Sequence, residues 1–365
     1  MKRKALTLLL ISCLSASALL AIDFSIVAKA NIIPLPEKLA TDQGYIRSSG
    51  AIDPPTLPIQ REGNVYRFTD NIINCTFEIE IDDVVIDGNG FLLSVPAFGE
   101  IDKNHQVKGA SPLISISNKS NIIVKNVTFD KYSNAIDVRN STKIIILQNT
   151  MRNGNTGIYM LRSANCSLLA NEISDNSLRG VLIQDCTSLD ISYNTISNNG
   201  YAGIEIDDLT RHIFNGLEHS NFTRNTFSGN NYAGLYFLGH HKNNQIFENN
   251  FINNNIGLSF MGGPSVNNSF NNNYWRGDQL QINDQNIDRV DQSPLASPVS
   301  TSFDASLFPL PSPAQKPSPE PDSTSEPFPT TLVAIASALL FCITGVGLLV
   351  YFKKRNHQKE KVEVK

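Results

Sequence analysis

A repeat of about 23 residues runs from Ile122 to Trp275 and constrains the fold more than any other feature. Each copy has an apolar residue, an asparagine three positions later and a second apolar residue two positions after that. The step between copies is 22, 23, 31 and then 24 residues, and seven or eight positions further on a small residue precedes an aliphatic one. The copies are Ile146, Asn149, Met151; Leu168, Asn171, Ile173; Ile191, Asn194, Ile196; Phe222, Asn225, Phe227; and Ile246, Asn249, Phe251.

This period predicts a parallel β-helix. A leucine-rich repeat would need its Leu-x-x-Leu-x-Leu frame, and a propeller blade needs about forty residues. Short β-branched runs fit three strands per coil, each stacked on the next coil at about 4.8 Å. The crossover rule makes the winding right-handed. We therefore expect an all-β fold, a right-handed parallel β-helix with about 23 residues per coil.

Residues at equal phase should stack in columns. The asparagines of the repeat should form a ladder of side-chain amides, each bonded to the coils above and below. This ladder accounts for most of the asparagine content between Asn118 and Asn286. One interior column should contain Phe129, Met151, Ile173, Ile196, Phe227, Phe251 and Tyr274.

The two ends of the chain predict export and anchoring. A basic start and an apolar run lead to Ala28-Lys29-Ala30, so residues 1–30 read as a signal peptide cleaved after Ala30, the alternative being an uncleaved anchor. Residues 331–352 carry no charge and are long enough for a C-terminal transmembrane helix. The basic tail 353–365 is then cytoplasmic and the bulk of the chain lies outside the cell, held by a single pass.

Between these ends we expect an N-terminal cap (31–83), the β-helix with its C-terminal cap (84–298) and a Pro/Ser-rich stalk (299–330). The formal charge of −4 divides into +3 for the first thirty residues, +4 for the tail and −11 between them. An acidic exported domain argues against nucleic acid as a partner. We expect a monomer.

Seven asparagines lie in Asn-X-Ser/Thr triplets and are candidate glycosylation sites in an exported chain. Cys75, Cys166 and Cys186 form an odd exported set, and we expect no bridge between Cys166 and Cys186, because they differ in repeat phase. The glycosylation candidates are Asn74, Asn118, Asn126, Asn140, Asn165, Asn221 and Asn267.

The repeat at 194–204 and the ending Asn273-Tyr274-Trp275, followed by Asp291, Pro294-Leu295 and Pro298, resemble the NosD-type right-handed β-helix family. That family is named after a periplasmic protein linked to copper delivery to nitrous oxide reductase, and it overlaps carbohydrate-binding and sugar-hydrolysis β-helix repeats. The phrase from Tyr45 to Thr56, with the stalk and membrane helix, is similar to surface-anchored archaeal members. The resemblance implies the fold and leaves the chemistry open.

Acids, histidines and aromatics converge at one place on the predicted surface. One outward column reads Asp137, Tyr159, Leu182, Glu205, Tyr236 and Ser259, and its neighbour reads Arg162, Asp185, Asp208 and Gly239. An insertion near 208–216 adds Arg211 and His212, with His219 close by. The predicted ligand-binding residues are Tyr159, Glu205, Asp207, Asp208, Tyr236 and His240.

Three functions compete for this place. Tyrosine faces and carboxylates suit a polysaccharide or a surface-layer glycoprotein, bound without catalysis. Asp207, Asp208 and His240 resemble half of a polygalacturonase site, but the Asn-Thr-Asp and Arg-x-Lys motifs are missing, and a calcium-assisted lyase lacks a base beside its acids. His212, His219, His240 and His241 suit copper as in a NosD-like accessory protein. The remaining interpretation is a solvated surface with no small-molecule site.

We expect a surface-anchored β-helix that binds or scaffolds carbohydrate or envelope material. Any enzyme activity would be that of a glycoside hydrolase or polysaccharide lyase, and any cofactor would be copper or calcium.

Overall fold

The computed structural model describes residues 42–95, 111–208, 216–262, 266–277, 279–282, 291 and 293–304. These residues form strands and turns, and no helix occurs among them. None of them forms a helix that could cross a membrane. The predicted signal peptide, most of the stalk, the transmembrane helix and the tail lie outside the described residues.

In the described part of the chain, thirty strands build an N-terminal cap and nine coils of three strands each. The cap has β1 (Asp42–Ile46), β2 (Ile52–Asp53) and β3 (Ile59–Glu62). The coils are, in order, β4 (Val65–Phe68), β5 (Ile72–Ile73), β6 (Cys75–Ile79); β7 (Val84–Asp87), β8 (Leu92–Ser94), β9 (Ile114–Ser117); β10 (Ser120–Lys125), β11 (Thr128–Asp130), β12 (Asn134–Arg139); β13 (Thr142–Leu147), β14 (Thr150–Arg152), β15 (Thr156–Leu161); β16 (Ser167–Leu169), β17 (Glu172–Ser174), β18 (Arg179–Gln184); β19 (Asp190–Ser192), β20 (Thr195–Ser197), β21 (Ala202–Asp207); β22 (Asn221–Thr223), β23 (Thr226–Ser228), β24 (Ala233–Gly239); β25 (Gln245–Phe247), β26 (Asn250–Ile252), β27 (Ile256–Gly262); β28 (Ser269–Asn271), β29 (Tyr274–Arg276), β30 (Gln279–Ile282).

Equivalent strands of successive coils pair in parallel and form three sheets. Sheet A runs from β6 through β9 to β30 and is extended by β1 and β2; sheet B runs from β4 through β7 to β28, with β3 at its edge; sheet C runs from β5 through β8 to β29. The topology is consistent with a right-handed parallel β-helix and confirms the all-β prediction. The first coil begins at Val65, inside the segment that the sequence assigned to the cap.

The registers follow the repeat phase. Phe129 pairs with Met151, and the column continues through Phe227 and Phe251. The last member was predicted to be Tyr274, which is wrong: Phe251 pairs with Trp275, and the two rings stack with centroids 4.3 Å apart. Tyr274 pairs with Asn250 instead, because the interior position lies two residues after the ladder asparagine, here Asn273.

The predicted asparagine ladder is present and buried. Asn149 donates from Nδ2 to Oδ1 of Asn171 at 3.1 Å, and the same bond recurs coil by coil until Asn249 donates to Asn273. At the end, Oδ2 of Asp291 accepts the backbone N–H of Asn273 at 2.8 Å, as the next asparagine would. Oδ2 also accepts the Trp275 indole N–H at 3.0 Å, so Asp291 caps the ladder.

A second role for asparagine was not predicted. Each coil turns its corners through residues with positive φ, as coil 4 does at Lys143, Gln148, Asn153 and Arg162. Asparagine tolerates this conformation better than most residues, because its side chain bonds locally to the backbone. Corner asparagines therefore share the content that the ladder alone was expected to explain. They are Asn74, Asn89, Asn118, Asn121, Asn126, Asn140, Asn153, Asn165, Asn198, Asn243, Asn253, Asn267 and Asn272.

The cap closes the first coil through Arg47. Its Nε donates to Asp53 at 2.9 Å, its Nη1 donates to Glu80 at 2.8 Å, and its guanidinium lies 3.6 Å from the Tyr45 ring centroid. The residues from Tyr45 to Asp53 therefore make contacts that hold the cap together. At the other end, Val299 and Phe303, which lie in the predicted stalk, contact Asn250 and Tyr193 of the solenoid.

Cys75, Cys166 and Cys186 are free thiols with buried side chains. Burial raises the pKa of Cys166 to about 11 and that of Cys186 to about 12. The expectation of no Cys166–Cys186 bridge is confirmed.

Candidate functional site

The outer face of sheet A carries the outward column that the repeat predicted. Asp137 pairs with Tyr159, Tyr159 with Leu182, and the register continues through Glu205 and Tyr236 to Ser259. Because side chains alternate across a strand, the neighbours Ile158, Val181 and Ile204 fill the core. The interior packing therefore fixes which residues of β12 to β27 face outward.

Asp137 and Tyr159 share one cation. Arg139 donates to the two oxygens of Asp137 at 2.7 and 2.9 Å. The same guanidinium lies 5.1 Å from the Tyr159 ring centroid, within the range of a cation–π contact. The carboxylate is nearly buried, whereas Arg139 is exposed.

Gln184 joins Tyr159 to Asp207 across neighbouring coils. The Tyr159 hydroxyl donates to Oε1 of Gln184 at 2.7 Å, and Nε2 of Gln184 donates to Asp207 at 3.1 Å. Burial raises the pKa of Tyr159, so its hydroxyl stays protonated and remains a donor at neutral pH. Asp207 is half-buried.

Glu205 is held by Arg179, with which it forms a short ion pair from the coil below. Arg179 also lies 5.6 Å from the ring centroid of Tyr201. Glu205 itself is 6% exposed, and the side chain of Arg179 is 25% exposed. Polar groups on this face thus bond to one another before any ligand arrives.

Three tyrosines form an aromatic cluster beside Glu205. The rings of Tyr201 and Tyr232 stack with centroids 4.9 Å apart and an interplanar angle of 4°. Both meet Tyr236 edge-on, at 6.1 and 5.3 Å. Burial raises the pKa of Tyr236 and of Tyr201. Tyr236 is only 7% exposed, so the accessible part of this cluster belongs to the half-buried rings of Tyr201 and Tyr232.

At its N-terminal end this face opens into a groove of about 810 Å³. The groove is lined by Gln43, Leu57, Glu78 and Ser115, among others. Glu78 pairs with Ser115, which pairs with Asp137, so the groove and the outward column are continuous. The candidate site is therefore a long surface that follows the solenoid axis.

The pair Asp208 and His240 lies where sheet A gives way to the corner toward sheet B. Oδ2 of Asp208 is 3.5 Å from Nδ1 of His240, and the Asp208 side chain has no exposed surface. Gly239 has a φ of +114°, and a Cβ there would lie 2.5 Å from the Cβ of Asp208. Glycine at 239 thus allows the chain to pass close to the acid.

Of the four candidate copper ligands, the three that the structure describes, His219, His240 and His241, do not converge. His241 points into the core, packs against Phe237 and Phe260, and accepts the Leu217 backbone N–H at 3.1 Å. His219 is exposed on a turn, 3.2 Å from the Asn243 amide. His212 lies outside the described residues. Within the part of the chain that the structure describes, no group of three His, Cys, Asp or Glu side chains is placed to hold a metal.

The predicted glycosylation sites share a backbone feature. Six of the seven asparagines have positive φ at solenoid corners, and the seventh, Asn221, is exposed on β22. Asn74 and Asn126 are half-buried, whereas Asn118, Asn140, Asn165 and Asn267 are exposed. Their use stays a prediction.

Residues 74–287 match the family model described as periplasmic copper-binding protein (NosD). The chain belongs to the NosD family. The match covers coils 2 to 9 with His219, His240 and His241, yet the residues that the structure describes in this NosD-family chain do not assemble a copper site.

Among curated proteins, no significant match was found. Several solved structures are similar at low identity. PfbA, a surface adhesin of Streptococcus pneumoniae, is 13% identical, with 57% of this chain and 75% of that chain covered and a TM-score of 0.36. The periplasmic alginate epimerase AlgG is 12% identical (69% and 82% covered, TM-score 0.37). The catalytic domain of a GH87 α-1,3-glucanase is 10% identical (64% of each chain covered, TM-score 0.38).

Several residues of the surface were missed by the sequence analysis. Arg139 and Gln184 lie on strands next to predicted positions, and Arg179 begins β18. Tyr201 and Tyr232 precede β21 and β24 at equal phase, eight residues after Tyr193 and Arg224, so the repeat could have placed them together. The sequence pattern that could have identified Tyr201 and Tyr232 is a tyrosine at the same repeat position in two consecutive coils.

Proposed function

We propose that the outer face of sheet A binds a polysaccharide without cleaving it, and that the chain presents this face at the cell surface. The observation that supports this most is the row of tyrosines, carboxylates and guanidinium groups from the groove at Glu78 to Tyr232, which Leu182 interrupts in coil 5. Sugar rings have apolar faces and hydroxyl edges, so a row of this composition suits them along several coils.

The state of the carboxylates favours binding over hydrolysis. A glycosidase needs one carboxylic acid and one carboxylate that both reach the scissile bond. Here Arg139 holds Asp137, Arg179 holds Glu205, and Gln184 bonds Asp207. Asp208 is buried beside His240. Each acid already serves a neighbouring side chain, which suits a rigid, preorganised surface.

Export and anchoring complete the proposal. The NosD family is described as periplasmic, which supports a location outside the cytoplasm. The signal peptide, the single membrane pass and the cytoplasmic tail remain proposals that rest on the sequence of residues 1–30 and 331–365. A surface-layer glycoprotein would present the same chemistry as a free polysaccharide.

Binding to a panel of neutral and acidic polysaccharides would test the proposal with the full-length chain. Arg139→Ala should weaken binding about tenfold, because it removes the cation between Asp137 and Tyr159. Arg152→Ala is the matched control, since Arg152 is an equally exposed arginine near Asp130 on sheet C. Equal effects of the two variants, or no binding at all, would contradict the proposal. Release of shorter glycans by the parent chain would identify an enzyme instead.

A further inference from the structure

The outer face of sheet B has an aliphatic surface in its first half. Strands usually alternate apolar and polar residues, but here the runs Val84–Ile86, Ile122–Val124 and Ile144–Leu147 are unbroken, as in strands covered on both sides. Val84, Ile86, Ile122, Val124, Ile144, Ile146 and Leu168 belong to the core, so the residues between them face outward. The outer aliphatic patch consists of Val85, Ile123, Ile145, Leu147 and Leu169.

Four of the five patch residues are buried although they face away from the core, and Ile145 is half-buried. Ile123 is 1% exposed and Leu147 is 3% exposed. Among the described strands, those that carry the patch contact chiefly their neighbours in sheet B. In the later coils the same columns hold mostly polar residues, such as Asn221, Thr223 and Gln245, with Phe247 as an exception. The patch therefore requires a cover that the later coils do not.

The C-terminal segment approaches this patch. Leu295 pairs with Tyr274 in coil 9. Val299 in turn exchanges two hydrogen bonds with the Asn250 amide in coil 8, at 2.8 and 2.9 Å. Phe303 then meets Tyr193 of coil 6 edge-on, with centroids 5.6 Å apart. The segment thus runs back toward the first coils and reaches the corner between sheets B and C.

The next residues have the length and the composition to cover the patch. From Phe303, four more extended residues span about 13 Å, which is between two and three coil steps of about 4.8 Å. The sequence there places Leu307, Phe308 and Leu310 among prolines and small residues.

We propose that residues 305–314 dock on the outer aliphatic patch of sheet B, with Leu307, Phe308 and Leu310 against Leu169, Leu147 and Ile123. The segment that the composition presents as the start of a stalk is then a strap that completes the solenoid. The proposal concerns sheet B and is independent of polysaccharide binding on sheet A.

Engineered disulfides in the full chain would test this placement, because a bridge requires Cα atoms within about 7 Å. Leu307→Cys is combined with Leu147→Cys or with Leu169→Cys, in a chain with C13S and C342S; the other native thiols are buried. The control pairs Leu307→Cys with Thr223→Cys, which lies in the same column but in coil 7. At least one test pair should form an intramolecular bridge tenfold more completely than the control.

Bridges between two molecules would show that a second copy covers the patch and would overturn the proposal. So would equal bridging to Thr223→Cys, or no bridge at any position. A second measurement avoids dependence on register: the single thiol of Leu147→Cys should react at least tenfold faster with an alkylating reagent when Leu307 and Phe308 are both replaced by Ser. The thiol of Thr223→Cys should react at an unchanged rate, and unchanged labelling of both thiols would also overturn the proposal.

Discussion

The outer faces of sheets A and B differ although the same coils build both. Sheet A presents ionic and aromatic side chains that bond to one another, as in the contact of Arg179 with Glu205 and Tyr201. Sheet B presents aliphatic side chains in its first half and, apart from Phe247, polar ones in its second. Since stacking fixes only the inward residues, the outward ones are free to specialise. In this solenoid the inward positions repeat from coil to coil, whereas the outward positions differ and are the ones available for contact with a partner.

The largest expected effect tests whether the two halves of the outer face of sheet B differ. Leu147→Asp places a charge where the outer face is buried, so we expect a loss of about 3 kcal/mol or more in the free energy of unfolding. Thr223→Asp, in the same column three coils later, should change it by less than about 0.5 kcal/mol. Denaturant unfolding of both variants measures the difference. Equal losses would show that the two halves of this face are alike.

A smaller effect tests whether the ion pair on sheet A serves binding or only stability. Glu205→Gln removes the anion that Arg179 contacts, and we expect a loss of about 1 to 2 kcal/mol in stability because the arginine is only partly exposed. Polysaccharide binding should fall about tenfold, since Arg179 would no longer be held beside Tyr201. Calorimetric titration and thermal unfolding of the same preparations separate the two effects. A stability loss with unchanged binding would assign the pair to structure alone.

The smallest effect concerns the interior that both faces share. The pKa of Cys186 is raised from 9.0 to about 12 by burial, so the folded thiol keeps its proton while the unfolded thiol loses it. The contribution of this buried thiol to the free energy of unfolding is complete below pH 9 and is lost as the pH rises toward 12. At pH 9 we expect the free energy of unfolding to fall by less than about 1 kcal/mol. Cys186→Ala should make the free energy of unfolding less dependent on pH in this range. A variant profile parallel to that of the parent would contradict this assignment.

The sequence predicted the interior well because every coil repeats the same constraint. Phase alone placed Asn149 under Asn171 and Asp137 under Tyr159. It failed in the last coil, where two adjacent aromatics, Tyr274 and Trp275, both suit an apolar column and only the offset from Asn273 decides between them.

Contacts made once in the molecule could not be predicted from periodicity. Asn250 stands where other coils have Thr195 or Thr226, and its amide holds the backbone of Val299. The guanidinium of Arg179 reaches Glu205 on the next coil because of its length, which no repeat phase specifies. The identity of a ligand is even harder to predict from periodicity, because it depends on outward side chains that the stacking of coils leaves unconstrained.

The carboxylate of Asp291 gives the asparagine ladder a defined end. All its amides point the same way, with Nδ2 of each coil directed at Oδ1 of the next, so their dipoles add along the axis. The positive end of this row lies at Asn273, where a negative side chain neutralises it and takes the backbone N–H. A second molecule stacking on coil 9 would find that donor occupied and a charge in its way. The carboxylate of Asp291 thus occupies, at the end of coil 9, the backbone donor that a further coil would otherwise bond.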